Sequence, residues 1–285
     1  MKFLEHIAKA ISNLNPNDVR AMAEQPVTIG VAAATDAGYS AIGRFLSRAG
    51  FSEGRLRELG GHVYVIGDEG APERFDLELY EEGLPRPEHA FTFHPRDPQA
   101  AVGEILERRE ELGLRLARSF PVFRRAVTDS IVKTICRENA SFALVSAVPN
   151  IAPSSMLPWA LGEFASDTAF LTANQVRMAF LLAAASDREV SYREQRAEVG
   201  GVIAGAFGWR ALARELIGKV PFGGGLIPKA AIAYAGTWLV GRSLERLYAI
   251  GYQYSRKERR EVYQQGLDRG RAIATRLLEG IRKKK

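Results

Sequence analysis

Two hydrophobic periods divide this chain. Up to about residue 95, apolar positions come in short runs of β-branched and aromatic residues bounded by turn signals. The run Pro26 to Ala32 (PVTIGVA) predicts a short buried strand, followed by a helix near Tyr39 to Arg48. His62–Ile66, Phe75–Tyr80 and Ala90–His94 predict three further strands, separated by turns at Gly60-Gly61, Gly70-Ala71-Pro72 and Leu84 to Pro87. An amphipathic helix (Phe3, Leu4, Ile7, Ile11) precedes this region, and Asn15-Pro16 reads as an N-cap with proline at the first helical position.

After Asp97-Pro98, another such pair, the period becomes that of helices. One helix is expected to run to Phe120, a second from Pro121 to near Pro149, and a third from Pro158 through Ala185. Ser191 to Glu194 and Ser255 to Glu258 have capping-box spacing and open two more, the first reaching about Lys219. Pro228 restarts the chain after the glycine run 223–225, into a helix through Tyr248. The fold class is therefore α+β: a small N-terminal α/β unit, then a mainly α-helical domain whose apolar helices are broken by proline and glycine. The expected domains are 1–96 (α/β, with a degenerate GTPase-like unit as one reading), 97–254 (helical) and 255–285 (a basic amphipathic C-terminal helix).

Between Asn139 and Gly162 no side chain is charged, yet Pro149, Pro153 and Pro158 interrupt the stretch. It has the length of a membrane span but too many prolines for a simple one, and reads as the bend of a helical hairpin, buried or shallowly inserted. Phe222 to Gly241 is similarly long and carries Lys229 and the glycine run. Small residues at four-residue spacing, as in Gly201 and Gly205, let helices approach closely in membranes and in soluble bundles alike.

Composition narrows the classes. With 46% hydrophobic and 25% charged residues the 285-residue chain is foldable, and its single cysteine, Cys136, excludes a disulfide framework and fits a reducing cytosol. The amino terminus lacks the features of a secretory signal. The net charge of +6 resides in the tail, where Ser255 to Lys285 holds eleven Lys and Arg against four Asp and Glu. On the terminal helix Tyr263, Leu267, Ala274, Leu278 and Ile281 share one side. With the ending Arg282, Lys283, Lys284, Lys285, that is membrane-surface or anion-binding character, and too few aromatics interleave for nucleic acid to be expected.

Candidate chemistry is sparse. Ala33 to Ser40 (AATDAGYS) follows a strand and opens a helix, as a phosphate loop does, with Gly38 and Ser40 as the weak candidates for contact. Alanine replaces its first glycine and Tyr39 stands where the lysine belongs, so an ordinary strand–helix turn is preferred and no cofactor is expected. Glu163, Asp167, Asn174 and Arg177 fall on one helix face at spacings of four, seven and three. A polar seam paired to Arg210, Arg214 or Lys229 is the preferred reading; an acid/base pair in an apolar pocket, or a cation site, is the alternative. No catalytic nucleophile or zinc pattern occurs: the four histidines are His6, His62, His89 and His94, and Cys136 reads as a buried structural thiol.

The second half carries a resemblance. Pro149-Asn-Ile-Ala-Pro153, Gln175-x-x-Met178, Phe207-Gly208-Trp-Arg210, Pro221-Phe-Gly-Gly and Thr237-x-x-x-Gly241 occur in the order found in the bacterial domain of unknown function 697, which residues 120–250 resemble. The resemblance implies membrane association, and a connection with Era-like GTPases, to which such domains are often attached; it brings no catalytic residues. The chain departs at its front, which lacks the phosphate-loop lysine. The expectation is a non-enzymatic scaffold or GTPase partner, peripheral to or shallowly inserted at the cytoplasmic side of the inner membrane. The alternatives are a nucleotide-responsive regulator and an enzyme using Glu163 and Asp167.

Overall fold

The computed structural model describes residues 11–47, 62–146, 167–203 and 226–282. Glu163, Arg210, Arg214, the glycine run 223–225 and Lys283 to Lys285 lie outside them, as does most of the uncharged stretch; Asp167 and Arg282 are described by backbone alone. The α+β class holds: a small parallel sheet in the N-terminal part is followed by long helices. Compactness groups 20–128 with 184–188 as an α/β unit, and the described residues of 1–19, 129–183 and 189–285 as a helical unit.

In chain order the elements are α1 (Pro16–Glu24), β1 (Ile29–Ala32), α2 (Asp36–Leu46), β2 (Val63–Val65), β3 (Leu77–Glu81), β4 (Phe91–Phe93) and α3 (Pro98–Arg108). Then follow a 3-10 turn at Glu110–Leu112, α4 (Gly113–Ser119), α5 (Pro121–Val145), α6 (Asp167–Ala185), α7 (Leu226–Ile250) and α8 (Arg256–Arg282). The four strands are parallel in the order β2-β1-β3-β4. Register between the central strands is pinned at their entry. The Thr28 backbone N–H and hydroxyl both donate to Asp76 Oδ2 (2.8 and 3.0 Å), while Asp76 N–H donates to Thr28 Oγ1 (3.1 Å). Ile29, Val31, Leu77, Leu79, Phe91 and Phe93 are buried, as are Ile42, Phe45 and Leu46 on α2 and Val102 and Ile105 on α3. Burial alternates along β3 and β4, so one face of the sheet is fully covered while Glu78, Tyr80 and Thr92 on the other are only half-buried.

The helix expected from Pro98 to Phe120 is broken. Arg109 leaves helical geometry (φ −133°, ψ 51°), with its guanidinium on Glu111 Oε1 (2.6 Å) and on the Asp76 carbonyl. A helical pattern in sequence does not reveal this pull from a distant strand. α3 packs against β4, so it groups with the sheet and not with the helices that the boundary at residue 97 would give it.

In the helical unit, α7 and α8 form an antiparallel hairpin. A methyl group at Gly266 would lie 3.0 Å from Ala235 Cα, and one at Gly270 2.8 Å from the Ala231 carbonyl, so glycine lets the two backbones meet. Gly251 turns the chain at φ 79°, and α8 opens with a complete capping box: Ser255 N–H donates to Glu258 Oε2 (2.8 Å) and Glu258 N–H to Ser255 Oγ (3.3 Å). At Ser191 only half of the expected box forms. Glu194 N–H donates to Ser191 Oγ (3.1 Å), but Gln195, not Glu194, reaches back to Ser191 N–H (3.0 Å), and the helical run starts at 196.

Candidate functional site

Three places hold the residues singled out by sequence. The first is the crevice beyond the carboxyl ends of β1 and β3, where the strand order reverses; ligands of open parallel sheets bind there. Thr35 caps α2, its Oγ1 accepting from Gly38 N–H (3.2 Å). The anion seat beside it is taken by the protein itself. Glu81, the last residue of β3, accepts from Ala34 N–H at 2.9 Å, and a methyl group at position 38 would lie 2.4 Å from its Oε2. Gly38 therefore makes room for a carboxylate, and the helix N-terminus is already balanced by a negative charge. A phosphate here would have to displace Glu81 or face it at contact distance, where like charges repel strongly. Ser40 is exposed, farther along α2.

The second place is the polar seam. Asn174 and Arg177 belong to it, but their partners lie on α5. Asn174 Nδ2 donates to Asn139 Oδ1 (3.0 Å) and Glu138 Oε2 (3.1 Å), and Arg177 Nη2 reaches both Glu138 oxygens at 3.1 Å. Asn139 Nδ2 in turn donates to Thr237 Oγ1 (2.8 Å), as does Gln175 Nε2 (3.2 Å), while the Thr237 hydroxyl donates to the Ala233 carbonyl (2.9 Å). Asn139 and Thr237 are fully buried. Lys229, one expected partner, donates to Ser146 Oγ (3.1 Å). The seam thus ties α5, α6 and α7 together, each buried amide finding an acceptor as the interior demands. Two of the sequence motifs interlock here: Gln175 bonds Thr237, and a methyl group at Gly241 would lie 3.1 Å from Met178 Sδ and 2.8 Å from Val132.

Beside the seam sits an ion cluster. Arg242 bonds Asp129 and, at 2.6 Å, Glu245 Oε2. Burial works against its charge, yet these hydrogen bonds outweigh it and raise its pKa; Asp129, likewise opposed by burial, is held below the usual carboxylate range by Arg242 and Lys133. The guanidiniums of Arg242 and Arg269 both lie over the Trp238 ring, 4.1 and 4.5 Å from its centroid. Cys136 is buried, and burial pushes its thiol pKa far up, as befits a structural thiol.

The third place is α8. Its buried positions are Gly266, Gly270 and Ala274, with Tyr263, Leu267 and Leu278 half-buried. At Gly266 and Gly270 this helix packs directly on Ala235, Trp238, Ala231 and Tyr234 of α7. Arg256, Lys257, Arg260 and Arg276 are exposed and have no acidic partner among the described residues, whereas Arg271 is paired with Asp268 (3.4 Å). No helix among the described residues is long and apolar enough to cross a membrane, and no group of three potential metal ligands occurs there. Glu81, Glu138 and Asn139 were not singled out by sequence: Glu81 only ends a strand, and Glu138-Asn139 sits where charge gives way to the apolar stretch. No family model, curated protein or solved structure matches the chain.

Proposed function

We propose that this chain is a non-enzymatic scaffold that works at an anionic membrane surface on the cytoplasmic side, as the partner of a GTPase. The observation that carries this reading is α8. Gly266 and Gly270 seat it on α7, and Arg256, Lys257, Arg260 and Arg276 stand exposed without acidic partners among the described residues. Such cations are worth about 1 kcal/mol each near an anionic leaflet, and the attraction falls off within a Debye length. Contact would be electrostatic and peripheral. The resemblance of 120–250 to domain 697 adds the GTPase connection.

Sedimentation of the full chain with vesicles tests it. Binding to vesicles containing phosphatidylglycerol, absent with phosphatidylcholine alone, released by high salt and weakened by R260E/R276E, is the expected result. Equal partitioning onto neutral vesicles, or none onto anionic ones, overturns it.

Glu81 in the anion seat disfavours the nucleotide-responsive alternative. A bound nucleotide at a hundred times its Kd would stabilise the fold by about 2.7 kcal/mol. Thermal shift with GTP, GDP and ATP is expected to show no such gain.

A further inference from the structure

The α/β unit holds a second concave site, away from the Glu81 crevice. A cavity of about 590 Å³ opens where the carboxyl end of β4 meets α2 and the first turns of α3 and α5. That volume lies inside the range of roughly 300–1,000 Å³ usual for small-molecule pockets. Phe45 and Phe93 line its buried floor, their ring centroids 5.2 Å apart, and Val122 adds an apolar wall. Two guanidiniums, Arg44 of α2 and Arg125 of α5, share the lining. Both residues are exposed, and neither has an acidic partner among the described residues, although most arginines around them do: Arg108 pairs with Glu104, Arg109 with Glu111, and Arg118 and Arg124 with Asp187. Gln99 is the neutral polar group of the rim, and no carboxylate lines the cavity among the described residues.

An apolar floor with two unmatched cations specifies its ligand by chemistry. A neutral apolar molecule would leave both charges unused, and a small inorganic anion would leave the phenyl rings uncovered. We propose that this cavity binds an oxyanion-headed amphiphile: a carboxylate or phosphate head held between Arg44 and Arg125, with a short apolar body on Phe45 and Phe93. Guanidinium suits either head because its planar fork matches both bidentately. The position agrees with the preference of parallel sheets for ligands at their carboxyl ends. The exposed cations of α8 play no part in this site, so it stands whether or not the protein meets a membrane.

Calorimetric titration of the full chain with decanoate, decyl phosphate and decanol, all monomeric, provides the test, repeated on R44Q and R125Q. Both substitutions are at exposed positions, so the fold is retained and circular dichroism verifies it. The expected result is saturable binding of at least one of the two anions, at least about tenfold tighter than decanol. Each arginine variant should weaken it by about tenfold, the equivalent of 1.4 kcal/mol. The tighter of the two anions identifies the head. Failure of both anions to bind, equal binding of decanol, or unchanged affinity in both variants overturns the proposal.

Discussion

Gly38 and Glu81 illustrate how one side chain decides what a loop can do. Glycine within the first turn of a helix is costly relative to alanine by up to ~1 kcal/mol, and here the compensation is the carboxylate that lies against it. Because the crowded atom is the end of a flexible side chain, G38A is expected to fold, with Glu81 pushed off Ala34 N–H and about 1 kcal/mol lost. In an E81A background the same substitution meets no carboxylate and becomes neutral or stabilising. Chemical denaturation of the four proteins closes the double-mutant cycle, and additivity would show that the two residues act independently. The motif was legible in sequence as a strand–helix turn lacking its lysine. Its occupant was not, because Glu81 arrives from a strand more than forty residues later and only pairing in the sheet brings it there.

Between helices the same contrast of space and chemistry recurs. A methyl group on Gly270 would strike the Ala231 backbone, which cannot turn aside, so G270A should part α7 from α8 at a cost of about 1–3 kcal/mol. Gly280, on the same helix, has open space around it, and G280A should be neutral or gain up to ~1 kcal/mol from helix propensity. Thermal melts of the two variants give the comparison, and equal effects would mean that the hairpin contact is loose. In the seam, T237V removes the acceptor shared by Asn139 and Gln175 and should cost about 1–3 kcal/mol, whereas T237S keeps the oxygen and most of the stability. At this scale the sequence was informative in a patterned way. All four strands, the proline starts of α1, α3 and α5, and the Ser255 box follow from local chemistry and appear where expected, while α7 starts at Leu226, two residues ahead of Pro228. What local chemistry could not supply were the tertiary decisions: the break at Arg109, Gln195 replacing Glu194 at Ser191, and Glu138 as the partner of Arg177.

For the molecule as a whole, charge ties these local features to conditions. The chain carries 39 Lys and Arg against 33 Asp and Glu, so protonating its acids turns a modest surplus into strong self-repulsion. Three described carboxylates add a specific term of the same sign. Asp129 is lowered by Arg242 and Lys133 against the opposing effect of burial, Glu258 by the Ser255 backbone and side chain, and Glu111 by Arg109. A carboxyl whose folded pKa is depressed gives its full stabilisation above its unfolded value, near 4, and loses it as pH falls through the folded one. At the other extreme Tyr234, pushed up to about 12 by burial, and Cys136, raised by burial as well, favour their neutral forms when folded. The unfolded chain ionises them first, so their contribution is present below the unfolded values and declines as pH rises beyond them. The melting temperature is therefore expected to be level near neutrality, to fall below about pH 4 and to fall again above about pH 9. D129N separates the specific term from general repulsion. It removes the charge that holds Arg242 and Lys133, so it should lower the melting temperature at pH 7, and the difference from the parent should shrink as pH falls below about 4 and through the depressed folded value. A deficit that keeps its full size while the pH falls through that range would mean that Asp129 acts through shape alone, and that the ion cluster around Arg242 contributes nothing through its charge.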